Sequence, residues 1–206
     1  MMLVAAVAVV PAAAQPANET LLLARAATTS GAYHLVEAIH QRGRVVPLDI
    51  GYIDFDNPSL YRELWIGAGG VPFQGSKGLL IAEGLLARAF GEHGAQALYF
   101  QPYFFGLYRV APTLPFETSY FAYVPLNQAA TAQHLLERAK LEYDFARFKA
   151  GAGYSAYRFG GEAWRHKPFI TATLKAGEIG SFELWLQRVP GDHLALQLRY
   201  AKVFVH

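Results

Sequence analysis

Apolar and polar residues alternate along much of this chain. The stretch from Glu137 to Phe159 shows the pattern most clearly: apolar Leu141, Tyr143 and Phe145 are separated by charged residues. Because the side chains of a β-strand point alternately to its two faces, a period of two predicts a strand with one apolar face. The parity reverses after residue 147, so the stretch predicts two strands joined by a tight turn.

The same period recurs on both sides of this stretch. Turn signals rich in Gly, Pro, Asn and Asp separate the runs, for example at residues 56–58, 75–78, 160–161 and 190–192. Short connections of this kind favour hairpins over βαβ units. The predicted strands span residues 20–28, 33–41, 45–54, 61–69, 78–88, 97–105, 115–124, 134–145, 148–158, 168–175, 181–188 and 194–204.

Two segments also suit an α-helix. Residues 78–90 and 129–145 are rich in Ala, Leu, Glu and Arg, which are good helix formers. A helix over 136–145 would scatter the apolar residues around its circumference, whereas a hairpin with 148–158 collects the aromatic residues on one face. We therefore predict a strand over 136–145, and both states stay open for 78–90 and 129–136.

The exterior of such a meander distinguishes two architectures. In a soluble barrel the apolar set points inward, whereas in a transmembrane barrel it faces lipid. Segments of about ten residues suit tilted strands that cross a membrane, and aromatic residues near strand ends suit an interfacial girdle. We therefore predict an all-β fold, an antiparallel up-and-down transmembrane β-barrel of ten to twelve strands. The girdle candidates are Tyr61, Tyr120, Tyr143, Phe145, Phe148, Tyr154 and Tyr200.

The polar positions then form a candidate charged interior. Buried charges must pair, because an unpaired buried charge is strongly destabilising. A soluble barrel would hold bulky apolar residues inside, so we expect small and charged residues in the interior of a membrane barrel. The predicted lining residues are Arg62, Glu63, Glu117, Arg138, Lys140, Glu142, Asp144, Glu183 and Arg199.

No cofactor, metal or catalytic group is predicted. The chain has no cysteine. His34 and His40 are six residues apart and could lie on one strand face, but the sequence shows no further ligands for a metal ion beside them. Ser155 lacks the G-x-S-x-G context of a hydrolase nucleophile, and no phosphate-binding loop is present. The net charge of +2 is too small to indicate a nucleic-acid partner.

The N-terminus predicts an export signal. Residues 3–10 are apolar, and the alanines at 12–14 before Gln15 match the small-residue pattern of a cleavage site. We therefore predict a secretory signal peptide over residues 1–14 and a single barrel domain over 15–206. No later run reaches the roughly 18 apolar residues of a membrane-spanning helix.

The pattern of hairpins resembles that of bacterial outer-membrane β-barrel proteins, in particular uncharacterised barrels of Gram-negative bacteria. The resemblance covers the mature chain and is most specific over residues 135–159, 182–191 and 193–205. It implies contact with outer-membrane lipid and assembly by the barrel-assembly machinery, which reads a terminal strand that ends in an aromatic residue. Phe204 lies two residues before the C-terminus, and the terminal His206 departs from that pattern.

These features favour a porin-like barrel of the outer membrane, with a structural role or a narrow passage for small solutes. The charged interior would set any selectivity, and we expect no enzyme activity. Two alternatives stay open: a soluble periplasmic β-barrel that binds an apolar ligand, and a lipid-modifying outer-membrane enzyme. The sequence leaves the oligomeric state open.

Lys140→Leu distinguishes the membrane barrel from the soluble one. If Lys140 faces water on a soluble barrel, the variant gains an apolar exterior and self-associates with little loss of folding. If Lys140 faces the interior, its acidic partners lose their cation, and stability in detergent falls without new self-association. Urea unfolding and light scattering measure the two effects. Unchanged stability with concentration-dependent aggregation in plain buffer contradicts the membrane interpretation.

Overall fold

Twelve antiparallel strands form one closed barrel. The computed structural model describes residues 18–28, 33–55, 62–91, 96–189 and 193–206. Each strand pairs with its neighbours in sequence, and the first pairs with the last. The strands are Asn18–Thr28 (β1), Tyr33–Arg42 (β2), Val45–Phe55 (β3), Arg62–Gly75 (β4), Gly78–Phe90 (β5), Gln96–Ala111 (β6), Leu114–Pro125 (β7), Gln133–Asp144 (β8), Phe148–Phe159 (β9), Arg165–Lys175 (β10), Ser181–Val189 (β11) and His193–Val205 (β12).

The predicted fold class is confirmed. Residues 78–90 form β5, so the helical alternative for that segment is wrong. Residues 126–132 connect β7 to β8, and the strand begins at Gln133. Within the described ranges, the only helical element is one turn at Gly177–Ile179, and none is long and apolar enough to cross a bilayer. The predicted signal peptide lies outside the described residues.

Large apolar side chains cover the outside of the barrel. On β10, the Ile170 side chain is 59% exposed, whereas the inward-pointing Thr173 is 1% exposed. The same alternation places Leu184 and Leu198 outside. An apolar exterior around polar inward positions is the reverse of a soluble barrel and is typical of strands that face lipid. The soluble alternative is therefore not supported.

The two ends of the barrel differ in their connections. β1 begins and β12 ends at one end, here called the terminal end, together with the turns at 43–44, 76–77, 112–113, 145–147 and 176–180. The opposite end, here called the distal end, carries connections of three to seven residues. Outer-membrane barrels have short turns on the periplasmic side and longer loops outside the cell. The terminal end therefore matches the periplasmic side.

The interior is only partly polar, which corrects one expectation. Bulky apolar side chains such as Leu85, Phe105 and Leu107 on β5 and β6 are buried inside the barrel. The reason is that β5 is mostly apolar on both faces, with Glu83 on the inward face and Arg88 on the outward face. Because its residues are also good helix formers, the sequence left a helix open for residues 78–90.

Two inward-facing glycines make room for aromatic rings. Gly51 on β3 lies opposite Trp65 on β4, and a Cβ atom at Gly51 would overlap the indole ring. Gly153 on β9 lies opposite Phe169 on β10, and a Cβ atom there would overlap the Phe169 ring. In both places the ring occupies the space that a side chain on the neighbouring strand would take.

Gly51→Val is expected to destabilise the folded barrel by about 1–3 kcal/mol, because overpacking of this size displaces the Trp65 ring. Urea unfolding of refolded protein in detergent measures the effect. Ala152→Val is the matched control, since Ala152 points outward from β9 and is exposed. Equal unfolding midpoints for the two variants would contradict the packing of Trp65 over Gly51.

Candidate functional site: an ion network in the barrel interior

Lys140 lies at the centre of a group of buried charges. Its side chain is 0% exposed, and its Nζ atom contacts carboxylates from three strands. The Glu142 Oε2 and Glu117 Oε2 atoms lie 3.1 and 3.5 Å from Nζ, and the Glu183 carboxylate also contacts it. One ammonium thus joins β7, β8 and β11 through the interior.

Two arginines complete the neutralisation of these carboxylates. The Arg138 Nη1 atom donates to Glu117 Oε1 at 2.8 Å. The Arg199 Nη1 atom lies 3.4 Å from the same oxygen and 3.3 Å from Glu183 Oε2. Glu117 and Glu183 therefore each contact both a lysine and an arginine, which is the arrangement that buried carboxylates require.

A β-bulge turns a further carboxylate inward. The pairing register of β8 shifts after Leu136 against both of its neighbours, and Glu137 and Arg138 then both face the interior. The Arg138 Nη2 atom donates to Glu137 Oε2 at 2.7 Å, and the Arg25 guanidinium contacts Glu137 from β1. The sequence analysis missed Glu137 because it assumed unbroken alternation through β8, and it also left out Arg25, which faces the interior from β1. The adjacent charges at 137 and 138 were the available sign of a bulge.

Neutral side chains hold the carboxylates in place. The Trp185 Nε1 atom donates to Glu183 Oε1 at 2.7 Å, and the Thr173 hydroxyl donates to Glu142 Oε1 at 3.1 Å. The Phe169 ring stacks on the Trp185 ring with centroids 4.2 Å apart. The guanidinium groups of Arg25 and Arg138 lie 5.8 and 5.5 Å from the Trp185 ring centre. Trp185 therefore contributes both a hydrogen bond and an aromatic surface for cations.

Cations and anions in this group balance. We use the name interior ion network for the eight residues that these ion pairs join: Arg25, Arg138, Lys140, Arg199, Glu117, Glu137, Glu142 and Glu183. Four positive groups face four carboxylates, so the network is neutral as a whole. Each member is buried or nearly so, which makes each one dependent on its partners.

The remaining predicted lining residues occupy three different settings. Glu63 is buried and accepts a hydrogen bond from Gln101 Nε2 at 2.7 Å. Asp144 faces inward at the terminal end, where Lys175 Nζ lies 2.6 Å from its Oδ1 atom. The prediction for Arg62 is wrong: its side chain is 50% exposed and binds Asp54. Adjacent residues of a strand point to opposite faces, so Glu63 takes the inward position and Arg62 the outward one.

A separate group of interior carboxylates was not predicted. Glu37, Asp49 and Glu83 point inward from β2, β3 and β5. Trp65 Nε1 donates to Asp49 Oδ1 at 3.2 Å, whereas both Glu83 oxygens are buried without a hydrogen-bond donor from the described residues. These strands have weak contrast between their faces, so the sequence pattern gave no sign of this group.

The girdle candidates divide into two groups. Tyr143, Phe145 and Phe148 form an exposed cluster at the terminal end, with successive ring centroids 4.6 Å apart. Tyr154 is also exposed, and its hydroxyl bonds to the His166 ring.

Tyr120 and Tyr200 are half-buried and lie near the middle of their strands. The Tyr120 hydroxyl hydrogen-bonds to His134 Nδ1 at 2.7 Å. The Tyr200 hydroxyl donates to the Ile179 carbonyl oxygen at 2.6 Å. Tyr61 lies outside the described residues. The role of these residues in a girdle stays a prediction.

Metal-ligand chemistry is not found in the described part of the chain. No group of three or more His, Cys, Asp or Glu residues there has the geometry to hold a metal ion. The His40 Nδ1 atom instead hydrogen-bonds to the Thr20 hydroxyl at 3.0 Å.

Solved outer-membrane channels have a similar barrel. A KdgM porin matches with a TM-score of 0.57 at 13% sequence identity, covering 89% of this chain and 96% of that chain. The NanC porin matches at 0.58 and 8% identity, covering 91% and 99%. The COG4313 outer membrane channel from Pseudomonas putida F1 matches at 0.57 and 11% identity, covering 95% and 100%.

The fold is that of outer-membrane porins. No protein-family model and no curated protein matches the chain. The porin fold and the apolar exterior together place the chain in the bacterial outer membrane, as the sequence predicts. The interior ion network confirms the predicted charged interior, whereas neither the soluble alternative nor the enzyme alternative is supported.

Glu137→Leu tests the part of the interior ion network that the bulge creates. Its removal leaves Arg25 buried without its carboxylate, so we expect a loss of about 3–5 kcal/mol in the free energy of unfolding. Urea unfolding in detergent measures the loss. The control is Glu178→Leu in the exposed turn between β10 and β11, which should have little effect.

The double variant Arg25→Leu/Glu137→Leu separates lost pairing from lost packing. Because it removes both charges, it should recover more than half of the stability lost in Glu137→Leu. A double variant that is as unstable as the sum of its single variants would contradict the pairing of Arg25 with Glu137.

Proposed function

We propose that this chain is a narrow small-solute channel of the outer membrane that its own side chains keep closed at rest. The observation that carries the proposal is the burial of residues all around the interior. Asp49 on β3, Lys140 on β8 and Thr173 on β10 are all at most 1% exposed. Side chains that line an open, water-filled pore are wetted, so this burial supports a closed interior.

Many of the side chains that close the interior form ion pairs. This supports a passage that opens when a charged group exchanges one partner for another. Lys140, Arg138 and Arg199 each contact two or more carboxylates, so one contact can lengthen while another holds. Solutes that pass would be small ions rather than long chains, because bulky residues of β5 and β6 also fill the interior. The similarity to porins supports the fold, and the transport activity is our proposal.

We also propose two partners that follow from the outer-membrane location. The exposed apolar residues would contact lipid, and the barrel-assembly machinery would insert the chain by reading β12, in which Phe204 lies near the end. We propose no nucleic-acid partner and no catalytic activity.

Planar-bilayer conductance tests the closed state. Wild-type protein should show no sustained conductance and only brief openings. The variant Arg199→Ala/Glu183→Ala removes one cation and one carboxylate from the interior ion network, so charge stays balanced while the obstruction shrinks. It should raise the mean conductance at least tenfold.

The control variant is Arg165→Ala/Glu162→Ala, which removes an ion pair of similar composition at the exposed distal rim. It should behave as wild type does. A steady wild-type conductance would show an open porin instead. A folded network variant that never conducts, together with a wild type that never opens, would support a structural role.

A further inference from the structure

Basic and aromatic side chains form a patch on the outside of the barrel at the distal end. Arg158 is the penultimate residue of β9 and lies opposite His134 on β8. The Arg158 guanidinium lies 5.4 Å from the Trp164 ring centre, and the His134 ring lies 6.2 Å from the same ring. His166 points outward from the next strand, beside Tyr154. We call His134, Arg158, Trp164 and His166 the distal basic patch.

The charge of Arg158 has no counter-ion within the described residues. No carboxylate there forms an ion pair with it, and its Nε atom is buried without a hydrogen-bond acceptor. The nearby acidic residue Glu162 is already paired with Arg165, whose Nη2 atom lies 2.8 Å from Glu162 Oε2. The patch therefore presents a positive group whose natural partner is an anion from outside the chain.

The position of the patch along the barrel axis indicates the class of that anion. The distal end carries the longer connections and so matches the outer face of the membrane. Trp164 and Tyr154 on the exterior are residue types enriched at the headgroup level. The outer leaflet of this membrane contains phosphorylated glycolipid, and a guanidinium matches the geometry of a phosphate with two parallel hydrogen bonds.

We propose that the distal basic patch binds a phosphate group of outer-leaflet glycolipid. Arg158 binds the phosphate directly, His134 adds a ring nitrogen, and Trp164 holds the guanidinium in place. The acyl chains of the same molecule lie against the apolar exterior below. The proposal rests on the outer-membrane location and is independent of whether the barrel conducts.

Lipid binding to protein refolded from urea in a neutral detergent tests this site, since such protein carries no native lipid. The probes are bisphosphorylated lipid A, its dephosphorylated form and phosphatidylglycerol, with the bound fraction measured by native mass spectrometry. Wild type should bind the bisphosphorylated form at least tenfold more tightly than either other probe. Arg158→Gln should lose at least fivefold of that affinity, because it removes the phosphate contact.

Arg147→Gln is the matched control, since Arg147 is exposed at the terminal end and lies outside the patch. It should bind the glycolipid as wild type does. Equal affinities for Arg158→Gln and Arg147→Gln overturn the proposal, as does equal binding of phosphorylated and dephosphorylated lipid. If the wild type binds phosphatidylglycerol as tightly as the glycolipid, and Arg158→Gln loses that binding, the patch is instead a phospholipid site.

Two further variants keep the test decisive if Arg158→Gln does not refold. Arg158→Lys keeps the positive charge but loses the paired donors, and Trp164→Ala removes only the supporting ring. Both should weaken glycolipid binding without affecting phosphatidylglycerol, and unchanged binding in both overturns the proposal.

Discussion

The Lys140 ammonium lies inside the barrel, out of contact with water, and three carboxylates surround it. This arrangement depends on the register of every strand that supplies a partner. A slip of one residue would move a strand's charged side chains to the lipid and its apolar ones to the interior. The energy of the unpaired charges would then far exceed the energy of a few ladder hydrogen bonds. The interior ion network thus selects one register among those that the backbone alone permits.

The local irregularities of the fold are explained by the same requirement. An unbroken β8 would point Glu137 at the lipid and leave Arg25 without its carboxylate. The bulge corrects this by placing two consecutive charges on one face. Gly153 serves the network in a different way, because its missing side chain leaves room for the Phe169 ring that stacks on Trp185. The bulge changes which face a side chain takes, and the glycine leaves space on a face that a larger residue would fill.

Much of the architecture was predictable because the alternation is regular where the strand has one apolar and one polar face. The segments 182–188 and 148–158 are of this kind, and their strands lie where the period indicated. β5 was ambiguous because both of its faces are mostly apolar, so its pattern shows only a weak period of two. The inclusion of Arg62 beside Glu63 overlooked the geometry of adjacent residues.

The pairing within the site could not be read from one sequence. Glu117 and Arg199 are far apart along the chain and meet only because the barrel closes. Glu37, Asp49 and Glu83 come together through the pairing of strands that lie close in the sheet, and the individual patterns of those strands are weak. Alternation assigns a residue to a face, whereas closure decides which residues on that face become neighbours.

The ion pairs between distant strands have a consequence for how the barrel is made. Arg25 on β1 contacts Glu137 on β8, and Arg199 on β12 contacts Glu117 on β7. The first six strands hold Arg25 and the last six hold Glu137, and Arg199 lies five strands from Glu117, so a partly built sheet in lipid would hold uncompensated charges. Such intermediates are high in free energy, and contacts of this sequence separation form late. Membrane entry and closure should therefore occur together, as a single cooperative step rather than hairpin by hairpin.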